Sequence, residues 1–419
     1  MKQLKKNNNQ LVNLFIKIVL SGVLLSFFYH YIFLGFFFEL PWPHNSFLYN
    51  PNDRFNDWLN PVKAVSTGEP YHQFLAVPSY FPFAYLLMAP IANFSEHIQL
   101  IYYFSIVLIP FALFLKRFLE ISHLSNNDKI KIVIALIFCY PVLFALDRGN
   151  LDLLSASLIG LFILDLRNNK SSNLTIFYLA IAASLKGFPA IFGFILIYQG
   201  KWSQAFLSAI IFIILFVTGI FYFEGGWFYT LKGFFDGQRL YKEIYLLGHA
   251  SAHYASDPFT VIKLLNYGAV LFKGEVIEIN NYLLNPRLLI RLYTILTCLF
   301  LLYTIYISLI RSKPFEITVL IVALTSCLFP NVCNDYRLTM LLPPLCIFLA
   351  KNDYNNFNKI IVFILGLLFI PKHVFFIYQS SLNIIFNSCL FLILLLLILR
   401  PKLIFNFKEH LSNNFNFFR

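Results

Sequence analysis

The sequence predicts an all-α polytopic membrane protein, and three observations carry that prediction. Of 419 residues, 59% are hydrophobic and only 12% are charged, with a mean hydropathy of +0.70, a composition that a water-facing globule does not tolerate. The apolar residues gather into runs near the roughly 20 residues a helix needs to cross hydrocarbon. The Lys and Arg residues stand in ones and twos between those runs, as topology-setting charges do. Scattered in this way, the net charge of +12 builds no patch for nucleic acid, and no such partner is expected. Cys139, Cys298, Cys327, Cys346 and Cys389 lie in apolar runs and Cys333 in a polar turn. None has a paired spacing, so neither a disulfide framework nor a zinc site is indicated.

The chain opens "MKQLKKNNNQLVNLFIKIVLSGVLLSFFYHYIFLGFFFEL". This apolar stretch exceeds a signal-peptide core and has no small-residue cleavage site, so it is read as a retained first span. Lys2, Lys5 and Lys6 before it place the N-terminus in the cytoplasm. The expected location is the inner (plasma) membrane, multi-pass. Counting runs gives spans at 11–38, 98–116, 131–146, 151–166, 173–185, 188–199, 203–223, 288–310, 316–330, 337–350, 359–376 and 381–400, a bundle of about 11–13 helices. Between the first two lies "YFPFAYLLMAPIANF" (80–94), bracketed by Pro82 and Pro90, which reads as re-entrant. With that choice Lys116, Arg117, Lys129, Lys131, Arg167, Lys170, Lys201, Arg311, Lys313, Lys351, Lys359, Arg400 and Lys402 all face the cytoplasm. A full crossing at 80–94 would invert every later loop. One membrane domain results, with a first external loop at 39–79 and a large external loop at 224–287.

The polar motifs that topology does not explain then share the non-cytoplasmic face. In "FNDWLNPVKAVSTGEPY", Trp58, Val62 and Val65 form a stripe suited to an interfacial helix. Asp57 within it is either a general base for a hydroxyl or a solvated helix cap; Asp53 reads as structural. "LDRGNLDLL" places Asp147, Arg148, Asn150 and Asp152 where two spans meet. Arg148 suits a phosphate and Asn150 a sugar hydroxyl, while Gly149 and Asn150 equally make a turn and cap. Lys186 in "AASLKGFPAIFGF" is either a snorkelling side chain or a point charge for a lipid phosphate. His249 and His253 in "GHASAHYASDP" have the spacing of a metal pair on a helix, but no glutamate of the metalloprotease pattern lies between them, and they read as loop residues or substrate hydrogen-bond donors. "NVCNDYR" adds Asp335, Tyr336 and Arg337, the arginine being either an interface anchor or part of a cationic pocket.

The order of these motifs, namely an aspartate loop, "GEPY", "YFPFAYLLMAP", "RGN" at the head of a span, "LKGFP" and then "KW", resembles the GT-C glycosyltransferases. It is most similar to the bacterial polyprenyl-phosphate-mannose-dependent mannosyltransferases of family GT87, over about residues 50–205 with an echo at "DYRLTMLLPPL". The resemblance implies a GT-C-like bundle that takes a sugar from a polyprenyl-phosphate donor on the non-cytoplasmic face and passes it to a glycan or glycolipid acceptor. It implies Asp57 as catalytic base, and it departs at Arg148, where family members often carry Gln or Ser. Lys186, Arg148 and Arg337 are then the donor-phosphate residues. Asn150, Asp152, Asp335, His249, His253 and Tyr80 are substrate-binding candidates. No metal or other cofactor is expected. One carboxylate base without a nucleophile implies inversion. Two other readings are an O-antigen polymerase-like protein and a transporter of polyprenyl-linked glycans. The first is expected to carry Arg-rich external loops in place of an early aspartate loop, and the second inverted repeats, of which the sequence shows none.

The topology makes a direct prediction. Single cysteines placed near 55, 150 and 250 in a cysteine-free background label from the non-cytoplasmic side, and those at 123 and 169 from the cytoplasm. Labelling of position 150 from the cytoplasm overturns the re-entrant reading of 80–94.

Overall fold

Helix dominates the computed structural model, which describes residues 10–72, 77–122, 124–168, 173–247, 255–262, 285–310, 314–328, 333–350, 354–373, 375–377 and 380–399. Helix α1 (Gln10–Phe27) continues as a π-helical stretch, Phe28–Phe37, and the first loop contains α2 (Asn56–Val65). Then come α3 (Pro82–Met88) with a 3-10 turn at Ala89–Ile91, α4 (Glu96–Ile121), α5 (Asn126–Ile137), α6 (Tyr140–Arg148), α7 (Asp152–Arg167) and α8 (Asn173–Lys186). A 3-10 stretch, Phe188–Gly193, runs into α9 (Phe194–Tyr198), followed by α10 (Trp202–Tyr222) and α11 (Gly226–Tyr241), which continues as a π-helical turn, Lys242–Leu247. The remainder comprises α12 (Pro286–Ile310), α13 (Phe315–Leu328), a 3-10 stretch Asp335–Leu341 leading into α14 (Leu342–Ala350), α15 (Asn356–Leu368), a hairpin of β1 (Phe375–Ile377) and β2 (Ser380–Ser381), and α16 (Asn383–Leu399).

Among the described residues, three helices are long and apolar enough to cross a bilayer alone: Gln10–Phe37, α4 and α10. The pair α5 and α6, bent by 48° where they meet, adds a fourth if the two together form one span; Pro141 at the start of α6 cannot continue the α5 hydrogen-bond ladder. The shorter apolar helices pack around α7, which is buried from Asp152 to Leu166, as a helix apolar on all sides must be. Its neighbours are α4, α8, α14 and the Asp335–Leu341 stretch. Gly160 lets the Phe114 ring of α4 lie directly on the α7 backbone, and Gly219 does the same for α10 against Pro82, the close approach that small residues permit between membrane helices.

Contacts at helix ends sort the chain into two ends of the bundle. At the first, Tyr103 near the start of α4 donates to Ala145 O (3.2 Å) and Asn150 O (3.3 Å), and the Phe81 amide donates to Leu185 O (3.2 Å). At the second, Arg117 pairs with Asp165 at 2.9 Å, and Arg167 reaches Ile347 O at 3.5 Å. The segment 80–94 belongs wholly to the first end, because Leu87 O accepts from Tyr102 (3.1 Å) and Gln99 donates to Ala92 O and Phe94 O at the head of α4. Ten residues of helix from Pro82 to Ile91 rise only about 15 Å, half the hydrocarbon thickness. Lys116, Arg117, Lys129, Lys131, Arg167, Lys201 and Lys359 occupy helix ends and a linker at the second end, together as the charge pattern requires. Lys170, Arg311, Lys313, Lys351, Arg400, Lys402 and positions 123 and 169 lie outside the described residues.

Four sequence expectations are corrected. The segment 224–287, read as an external loop, is not all loop, since it holds α11 and its π-helical continuation near its start; the alternation of Trp227, Phe228, Phe234 and Phe235 with Lys232, Asp236 and Arg239 is that of an interfacial helix. The span read at 359–376 stops at Leu368, before Pro371, and the chain then forms the β1–β2 hairpin. The runs at 188–199 and 337–350 each begin as 3-10 helix, which stretches a short run further per residue.

Candidate functional site

A cavity of about 580 Å³ opens at the first end of the bundle, lined by Tyr49, Asp57, Tyr80, Arg148, Asn150, Lys186, Tyr336 and Arg337 on its polar side. Phe81, Phe188, Ile191, Phe212 and Leu301 line an apolar side. The loop of sequence that carries Asp57 is pinned first. Asp147 at the end of α6 accepts from the Tyr49 amide (3.1 Å) and pairs with Arg54 (3.1 Å), and the Phe55 amide donates to Asp147 O (2.9 Å). Asp53 accepts from Asn56 at 3.0 Å, the structural role expected of it. Trp58 is fully buried and donates to Gln99 O at 3.1 Å. These contacts fix α2 and leave Asp57, in its first turn, facing the cavity.

Gly149 closes α6 in the left-handed region at φ +70°, where a side chain is strained. A Cβ there would also meet the Phe55 backbone at 3.0 Å. This turn delivers Arg148 and Asn150 to the Asp57 carboxylate: Arg148 Nη2 donates to Asp57 Oδ1 in a very short contact, and Asn150 Nδ2 donates to Oδ2 at 2.7 Å. Asp57 therefore does not cap its own helix. Asn150 holds the turn before α7 and the site at once, since its Oδ1 accepts from the Asp152 amide at 3.0 Å and from Lys186 Nζ at 2.7 Å. Lys186, at the last turn of α8, also pairs with Asp152 at 2.6 Å. It is half-buried against the cavity, its side chain 12% exposed, in place of snorkelling. The Arg148 guanidinium lies 3.9 Å over the Tyr49 ring, and Lys186 lies 5.0 and 5.2 Å from the Tyr80 and Tyr336 rings, cation–π contacts that favour charge away from water. Tyr80 donates to Asp57 O at 3.2 Å. Burial, and after it the Asp57 charge, pushes its phenol well above the ordinary range, so it stays a neutral donor.

The chain of contacts thus runs Arg148, Asp57, Asn150, Lys186, Asp152, with two cations against two carboxylates. Arg337 stands outside it. Only 5% exposed, it lines the cavity and stacks 4.3 Å over Phe188, and its Nε and Nη1 find no hydrogen-bond partner among the described residues. Two sequence candidates lie behind the cavity wall. Asp152 is fully buried beneath Lys186. Asp335, a substrate-binding candidate from the sequence, is fully buried: it accepts from Tyr140 (2.9 Å), Asn383 (2.7 Å) and, in a very short contact, Ser256, and lies 3.0 Å from His373 Nε2. His249 and His253 lie outside the described residues. Sequence reasoning missed Tyr49, Tyr241, Tyr245 and Gln238. The i, i+4 spacing of Tyr241 and Tyr245 was a legible signal of a shared helical face, whereas nothing local marks Tyr49.

Together these features define a helical membrane protein with a cation-rich cavity at one end of its bundle, half polar and half apolar. Residues 79–272, just under half of the chain, match the sequence model of Glycosyltransferase family 87. Over these residues the chain is similar to that family. The match starts later than the 50–205 read from the motifs and runs further, so that it includes Arg148, Asn150 and Lys186 but not Asp57. No curated protein and no solved structure matches the chain.

The buried Lys186–Asp152 pair makes a prediction about stability. Lys186→Met strands a fully buried carboxylate, and the expected loss is about 3–5 kcal/mol, read as a lowered melting temperature in detergent. Adding Asp152→Leu removes the stranded charge and recovers most of that loss. Equal melting of the single and double variants would show that the two residues are not coupled.

Proposed function

We propose that the protein transfers a sugar from a polyprenyl-phosphate donor to a hydroxyl of a glycan or glycolipid acceptor, on the non-cytoplasmic face and with inversion. The observation that carries this reading is the excess cation of the cavity. The Arg148-to-Asp152 chain is balanced, while Arg337, which lines the same cavity, is buried with Nε and Nη1 unpartnered among the described residues. A buried guanidinium of this kind calls for an anion whose oxygens can accept two parallel N–H bonds, such as phosphate. The apolar side of the cavity, formed by Phe81, Phe188, Ile191, Phe212 and Leu301, suits the isoprenoid chain of such a donor.

The chemistry follows from the arrangement. The acceptor oxygen attacks the anomeric carbon as Asp57 takes its proton, and the bond from that carbon to the phosphate oxygen breaks with its electron pair leaving on phosphate. Arg337, with Arg148 and Lys186 nearby, stabilises the leaving phosphate. Arg148 and Asn150 hold the two carboxylate oxygens of Asp57 in place, the fixed orientation that a general base requires. The charge pattern supports the sidedness, since the cavity lies at the end opposite the clustered basic residues. The ion pair itself favours a second reading, in which Asp57 serves only to clamp Arg148 for the phosphate. The family match favours transfer over transport or polymerisation of finished glycans.

Two measurements test the proposal. Asp57→Asn keeps shape and hydrogen-bonding reach but cannot accept a proton. Turnover is expected to fall by about 10²–10⁴-fold with melting temperature and donor binding near wild type; the clamp reading instead predicts weakened donor binding. Asp53→Asn should change little. Arg337→Met removes the unpaired cation and is expected to raise the donor KM or lower kcat/KM by roughly 10-fold or more, with release of polyprenyl phosphate as the assay. Unchanged kinetics would return Arg337 to a structural anchor.

A further inference from the structure

The segment that walls one side of the catalytic cavity has a second face. Tyr241 and Tyr245 line that cavity, whereas Arg239, Lys242 and Glu243 of the same turns face a separate recess of about 190 Å³, completed by Arg287, Ile290 and Arg291 in the first turns of α12. Four cations meet one carboxylate. Arg239 is paired with Glu243 at 3.3 Å, and Lys242, Arg287 and Arg291 have no acidic partner among the described residues. Like charges gathered around so small a space repel one another unless an anion sits between them.

From this recess an exposed apolar stripe descends along α12. Leu288, Leu292, Ile295, Leu296 and Leu299 are 49–64% exposed, and their spacing puts them on one helical face. A cationic head site above an apolar track has the form of an amphiphile with an anionic head and alkyl chains. On the sidedness proposed above, this is also the membrane face that topology leaves poor in Lys and Arg, so the cluster is not a topology signal.

We propose that this recess binds an anionic phospholipid, its phosphate held among Lys242, Arg287 and Arg291 and its acyl chains laid along the Leu288–Leu299 stripe. The site is distinct from the catalytic cavity and needs no assumption about the donor. Its occupant packs against the turns whose other face carries Tyr241 and Tyr245, and so braces the cavity wall.

The test uses the purified full chain in detergent, with dioctanoyl phosphatidylglycerol, dioctanoyl phosphatidylcholine or inorganic phosphate added and the melting temperature recorded. Phosphatidylglycerol is expected to raise the melting temperature of the wild type where the other two do not. In Lys242→Gln/Arg287→Gln/Arg291→Gln the apparent affinity for phosphatidylglycerol is expected to fall on the order of 100-fold. Should the triple variant not fold, Arg287→Gln and Arg291→Gln singly are each expected to weaken binding about fivefold. An unchanged affinity in the variants, or an equal response to phosphatidylcholine, overturns the proposal. An equal response to inorganic phosphate assigns the recess to the free ion and overturns the lipid assignment.

Discussion

The structure turns on a short chain of buried charge. Arg148, Asp57, Asn150, Lys186 and Asp152 come from the ends of α6, α2, α7 and α8 and touch in sequence. Each charge alone would be costly in hydrocarbon, and each is tolerated because an opposite charge or an amide dipole meets it. That requirement fixes the relative height of four helix ends more tightly than apolar packing does, because apolar surfaces slide with little penalty in a lipid environment. Asn150 is the pivot. Its amide donates to one acid and its carbonyl accepts from one lysine, so no other residue type of its size fills the same place.

A second polar joint ties the C-terminal half to this assembly. Asp335 gathers Tyr140 of α6, Ser256 from between α11 and α12, His373 after α15 and Asn383 of α16, and Asn387 reaches Ser256 at 2.7 Å. The next two residues, Tyr336 and Arg337, enter the cavity. A fully buried carboxylate thus orients the neighbouring guanidinium without touching substrate itself, and it does so by satisfying donors that would otherwise be stranded in the membrane interior.

The site was partly legible in the sequence for a physical reason. Ionisable residues inside apolar runs carry a penalty that only function or pairing offsets, so Arg148, Asp152, Lys186 and Arg337 stood out. What could not be read was which of them pair with each other. Lys186 suggested a phosphate ligand, yet it answers Asp152 first, while Arg337 is the one with N–H groups to spare among the described residues. Asp335 looked like its neighbours in "NDYR" but lies one layer deeper, because on a 3-10 turn three successive residues point in three directions.

The sequence by itself determined the helical membrane class, most of the helix positions and the clustering of the polar motifs at one end, because hydropathy and charge placement are properties of composition along the chain. It also marked the breaks, through Pro82, Pro90, Gly149 and Pro189. Only the tertiary structure decided that 80–94 packs wholly against one end of the bundle, that 226–247 is helical, and that the buried Arg337 keeps N–H groups without a partner among the described residues. Those outcomes depend on contacts between residues far apart in the chain, such as Asp57 with Arg148 and Asp335 with His373, and no local pattern specifies the partner of a buried charge.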